Sequence, residues 1–283
     1  MRSGAKAIWS FAACTLAAAA MGIPPLVDLL RHAHPSWYYT HIPVIPAISA
    51  WFLYRRRNEA FPATGSLCWP GLTGMAAGAA LFAFGRPAGA SLNAAGFVSV
   101  SAALVFWWGS FLLLFGARAF RKARFPMLFL IFAVPLPTVV IEGIIKALVS
   151  ASAEVTGILF AGLGVPFVRE GSVFHLPGFS LEVASECSGI RSTLALLITS
   201  ILAGQLFLRG PLKKIVLAAA VFPVSVFKNG VRIMTLYLLS YFVDMRIVDG
   251  GFLHRSGGFL FFGLGLVVLG YVLWVLRDSK YRC

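Results

Sequence analysis

The feature that most restricts this chain is a series of apolar stretches of about twenty residues, each closed by basic side chains. A helix needs about 20 apolar residues to cross a hydrocarbon layer of about 30 Å. That layer offers no water to free N–H and C=O groups, so helices, whose hydrogen bonds close within the segment, are the default. The alternating strands of about ten residues that a membrane barrel requires do not occur in the sequence. At 59% hydrophobic and 12% charged, the chain has about half the charge of an average soluble domain. It reads as an all-α polytopic membrane protein.

The first apolar run covers about 5–23, after Met1-Arg2-Ser3-Gly4-Ala5-Lys6. It is similar to a signal peptide, with Ala17 to Ala20 as a small-residue site. Apolar character continues from Ile23 to Leu30, so it is read as an uncleaved first span. Further spans are expected at about 37–54, 67–84 and 95–115, with a fifth from Phe125 interrupted by Pro135 and Pro137. Gly71, Gly74 and Gly78 mark a face of the third on which another helix can come close. The segment 138–163 is apolar but carries Glu142, Lys146 and Glu154, which suits a helix in the outer interface or lining a cavity. From 165 to 186 the pattern changes to a period of two around Pro177-Gly178, the signature of a small hairpin. Three spans follow, at about 190–208, 215–242 and 257–276.

About eight crossings with both termini inside give a consistent charge distribution. Of 24 basic residues, 15 fall on the inner side, among them Arg55, Arg56, Arg57, Arg118, Arg121, Lys122 and Arg124. Seven fall outside, and Lys228 and Arg232 lie within the seventh span. The formal net charge of +14 is therefore the bias of cytoplasmic loops toward lysine and arginine, and nucleic acid is excluded as a partner. The chain is expected to behave as one domain, 1–283, with its chemistry in about 165–270.

The chemistry is sought in Glu186-Cys187-Ser188-Gly189-Ile190-Arg191-Ser192, just before a span. In this topology Cys187 is the one cysteine on the outer, oxidising side, with no partner there, whereas Cys14, Cys68 and Cys283 lie in a span or inside. Arg232 lies 17 residues beyond Ile215, or about 26 Å of helical rise, near the outer surface of the seventh span. His254 precedes the eighth span on the same side. Asn229 and Arg232, three residues apart, share a helix face.

A thiol, a guanidinium and an imidazole at one depth form a nucleophilic set. A free cysteine titrates near about 8.5, and a nearby cation favours its thiolate. Imidazole accepts the thiol proton and returns one to a leaving amine; arginine stays charged and stabilises an oxyanion. Position alone leaves the imidazole open: His32, His34, His41 and His175 are also outside, and His41 is the strongest of these rivals. Lys228 is read as a snorkelling or pairing residue. No HExxH or CxxC spacing supports a metal site, and no cofactor is expected.

Taken together, these residues resemble the exosortase/archaeosortase family of membrane cysteine transpeptidases. The matching segments are Arg124-Phe125-Pro126 through Pro135-Leu136-Pro137, Arg169-Glu170-Gly171, the Cys187 motif, Asn229-Gly230-Val231-Arg232-Ile233 and His254-Arg255-Ser256-Gly257-Gly258. The resemblance implies catalytic Cys187, Arg232 and His254; Asn229, Glu186, Ser188 and Arg191 are read as residues that support them. It also implies exported substrates that end in a PEP-CTERM-like signal: a Pro-Glu-Pro motif, one transmembrane helix and a basic tail. Cleavage would pass through a thioester at the outer face of a bacterial inner membrane, with transfer to an unknown acceptor and membrane lipid as the remaining partner. The resemblance sets this in Gram-negative bacteria that make extracellular polysaccharide. The competing class is a transporter or polysaccharide-export component without covalent chemistry. Its mark would be matched interrupted spans in two halves, and no convincing internal repeat is present.

Overall fold

The computed structural model describes residues 2–32, 39–61, 68–85, 89–183, 188–242 and 252–277. Glu186 and Cys187 lie outside these residues, as do His34 and Asp244. The chain divides into two compact units, 1–141 and 142–283, and residues 165–270 belong to the second.

The first unit contains α1 (Arg2–His32), α2 (Val44–Arg55), α3 (Arg57–Ala60), α4 (Trp69–Phe84), α5 (Leu92–Lys122) and α6 (Arg124–Phe129), which tightens into a 3-10 turn over Leu130–Ala133. Helix α7 (Thr138–Gly162) starts at its edge. The glycine face expected on the third span is the seam between α4 and α5. A Cβ at Gly71 would lie 2.2 Å from the Leu113 amide nitrogen, and one at Gly109 2.4 Å from that of Met75. The two backbones meet because both helices omit side chains there, so this face is filled from within. Gly109→Ala should therefore cost at least about 3 kcal/mol, above the range for overpacking that only displaces side chains. Thermal unfolding of the detergent-solubilised variant measures this.

The Pro135-Leu136-Pro137 break is closed by Asn93. Its Oδ1 accepts from the Thr138 amide at 3.0 Å, and its Nδ2 donates to the Leu136 carbonyl at 3.0 Å and to the Tyr39 hydroxyl. A polar break between apolar helices must meet its own hydrogen-bonding needs, and this side chain does so.

The second unit continues α7 and adds strands β1 (Val168–Glu170), β2 (Val173–Leu176) and β3 (Phe179–Glu182), then α8 (Ile190–Phe207), α9 (Pro211–Ala219), α10 (Val221–Phe242) and α11 (Phe252–Leu276). The strands form an antiparallel sheet in sequence order. The expected hairpin turn at Pro177-Gly178 is present; a second turn at Gly171, with φ of 62°, adds a third strand. Phe160 of α7, Phe174 and Leu176 of β2, and Ile233 and Tyr237 of α10 share one buried cluster. Arg169 fastens the sheet to α7 through Glu154 at 2.9 Å and lies over the Phe174 ring.

Six helices among the described residues are long and apolar enough to cross a membrane, against the expected eight crossings. The difference lies in three places. Around Pro43 and Pro46 the helix is only 12 residues; α4 has 16; and α6 with its 3-10 turn ends ahead of Pro135. Conversely, 138–163, read as an interfacial helix, forms the 25-residue α7 and is one of the six. Its buried positions Leu148, Ser152, Thr156 and Phe160 follow one helical stripe, and Glu154, one of its three charges, faces Arg169.

Candidate active site

The site begins where the chain enters α8. Gly189 has φ of 72°, a left-handed conformation that glycine adopts without penalty. Its carbonyl accepts from the Ser192 hydroxyl at 2.8 Å, the Thr193 hydroxyl at 3.0 Å and the Thr193 amide at 2.9 Å. Ser188 is 1% exposed and its Oγ accepts from the Ile190 amide at 3.4 Å. A Cβ at position 189 would stand 3.3 Å from Asn229 Oδ1, so the turn lies directly on α10.

Helix α10 carries three polar residues within two turns. Asn229 is 1% exposed and donates through Nδ2 to Ser152 Oγ of α7 at 3.1 Å. Close approach of these helices is permitted by Gly230, where a Cβ would meet Val155 Cγ1 at 2.7 Å. Lys228 is 4% exposed and donates to Ser192 Oγ at 2.5 Å; it pairs within the protein and does not snorkel. Arg232 is half-buried, one turn beyond Lys228 and three residues beyond Asn229, hence on their side of the helix.

The residues on either side of 184–187 both rest on α10. Behind the segment, Val183 is buried in the cluster of Ile233 and Tyr237, and its amide donates to the Ser172 carbonyl at 2.9 Å. Ahead of it, Gly189 lies on Asn229. Arg232 falls between these two anchor points. Arg191 is exposed on the first turn of α8.

On α11, Gly265 stands against Lys228, while Val221 and Val224 of α10 cluster with Leu269 and Leu273 of α11. The two helices are therefore antiparallel. His254 lies eleven residues before Gly265, about 16 Å toward the Arg232 end; Arg232 is about 6 Å from Lys228 in the same direction. Of the other histidines, His175 on β2 is engaged with Ser180 at 2.9 Å and faces Glu170 at 3.7 Å. His32 and His41 belong to the first unit. Among the described residues no three His, Cys, Asp or Glu side chains gather as metal ligands would.

Ser152 carries no signal of its own, because a single serine in an apolar helix has no periodic or spacing signature. The role of Ser192 depends on Lys228, 36 residues away, a relation that only helix packing creates.

Fold and site together define a class: a polytopic α-helical membrane protein with a buried polar cluster at the start of one helix. The profile of the transmembrane exosortase family (Exosortase_EpsH) matches residues 32–271, and the chain belongs to that family. No curated protein and no solved structure matches it.

Proposed function

We infer that the protein is a membrane cysteine peptidase of the transpeptidase type, with Cys187 as nucleophile. The single observation that carries this reading is the bracketing of the Cys187 segment by two anchors on α10, at Asn229 and at Ile233–Tyr237, with Arg232 between them. In this reading the Arg232 guanidinium is the cation that favours the thiolate.

In this mechanism His254 takes the thiol proton and the sulfur attacks the scissile carbonyl carbon. Arg232 stabilises the oxyanion. Collapse of the intermediate breaks the C–N bond, the imidazolium gives its proton to the leaving amine, and a thioester remains on Cys187. An acceptor nucleophile then attacks the thioester and restores the thiol. Glu186 and Ser188 are the chain neighbours of Cys187, and Asn229 lies against the Gly189 turn. The substrates are exported proteins ending in a Pro-Glu-Pro-type motif, one apolar helix and a basic tail. Such a helix lies beside those of the enzyme, with its scissile bond at the outer, periplasmic face of the inner membrane.

The thioester is the test. Incubating the purified protein with a reporter ending in such a signal, without acceptor, should leave an acyl adduct on the Cys187 peptide by mass spectrometry. The adduct should disappear with hydroxylamine. Cleavage of the reporter with no adduct at Cys187 overturns the covalent route, and absence of any cleavage favours a transporter. The new C-terminus of the product distinguishes transfer from hydrolysis.

A further inference from the structure

We propose that Lys228 and Ser192 are a positioning pair for the proposed reaction, holding the Gly189 turn that follows the Cys187 segment in register with α10. The inference rests on Cys187 being the nucleophile. A lysine in a membrane-spanning helix normally extends its stem so that the ammonium reaches the headgroups. Lys228 is turned inward instead, 4% exposed, with Nζ 2.5 Å from Ser192 Oγ. The space for its stem comes from Gly265 of α11, where a Cβ would lie 3.3 Å from Lys228 Cδ and 3.0 Å from Leu196 Cδ1. Three helices are therefore shaped around one buried cation.

Packing does not require a lysine there. Burying a charge is costly unless it is paired and hydrogen-bonded, and among the described residues no carboxylate pairs with Lys228. What the lysine adds is direction. An ammonium only donates, so Ser192 Oγ accepts from Nζ and commits its own proton to the Gly189 carbonyl at 2.8 Å. A charged donor strengthens the hydroxyl's onward bond. That carbonyl sits at the left-handed turn, two residues from the sulfur-bearing position. The chain Lys228–Ser192–Gly189 thus ties the entry of α8 to the helix that carries Arg232. Misplacing a reacting group by about 1 Å costs about 10²-fold in rate.

The test is a double-mutant cycle on the full chain reconstituted in lipid vesicles. The probe is a reporter protein ending in Pro-Glu-Pro, one apolar helix and a basic tail. Lys228→Met and Ser192→Ala should each lower kcat by about tenfold to a hundredfold while KM stays within about threefold. The double variant should be no slower than the worse single, because both act through one hydrogen-bonded chain. The double variant also removes cation and acceptor together, so it remains informative if Ser192→Ala alone misfolds. Wild-type kcat in the folded double variant, a change confined to KM, or fully additive losses would overturn the proposal. Cys187→Ala in the same assay separates the two levels: cleavage by it sinks the nucleophile, whereas an inactive Cys187→Ala beside a fully active double variant sinks only the positioning pair.

Discussion

Cys187→Ala will leave a co-expressed reporter carrying the C-terminal signal at full length, while the variant itself accumulates in the membrane like the wild type. Both halves of the expectation have a physical basis. Loss of a covalent nucleophile costs on the order of 10⁶ in rate in other hydrolases, so cleaved product should be undetectable by immunoblot. The fold should survive, because what holds the neighbourhood together lies outside that side chain. Ser188 is buried and bonded to the Ile190 amide, Gly189 is gripped by Ser192 and Thr193, and Val183 is packed with Ile233 and Tyr237. Cys187→Ser keeps the shape and replaces the thiolate by a hydroxyl, which is weak without activation, and it too should be inactive. Normal processing by Cys187→Ala ends the nucleophile assignment.

Arg232→Ala is expected to slow the chemical step by about 10² to 10³, the loss seen when one oxyanion donor is removed. Arg232→Lys should recover only part of this, since an ammonium keeps the charge and loses the planar fork that presents two donors at once. The backbone around Arg232 is held independently by Asn229 on Ser152 and by Gly230 against Val155. The loss should therefore appear in single-turnover cleavage and not in thermal unfolding. Equal cleavage rates for Arg232→Ala and wild type would remove Arg232 from the mechanism. A fall in unfolding temperature that accounts for the whole loss would make it a structural residue.

The proposed role of Lys228 follows from a difference between sequence and structure. In the sequence a lysine 13 residues into a spanning segment has two readings, snorkelling to the headgroups or pairing within the protein. Which applies depends on what the neighbouring helices place beside it. Gly265 of α11 and Ser192 of α8 supply the space and the acceptor, and neither is near Lys228 in the chain.

Legible in the chain alone were the polytopic helical class, the close-packing face of α4 and the motif that precedes α8. These are properties of single segments: the length of an apolar run, the spacing of small residues and the charges that end a run all record what each segment meets. Folding was needed to show that the glycine face is filled by α5, that proline breaks shorten α2 and α6, and that α7 runs for 25 residues. It also decided that Ser152, Ser192, Lys228 and Asn229 converge beside the Gly189 turn. Their separations of 36 and 77 residues are fixed by the register of packed helices, which no one-dimensional pattern encodes.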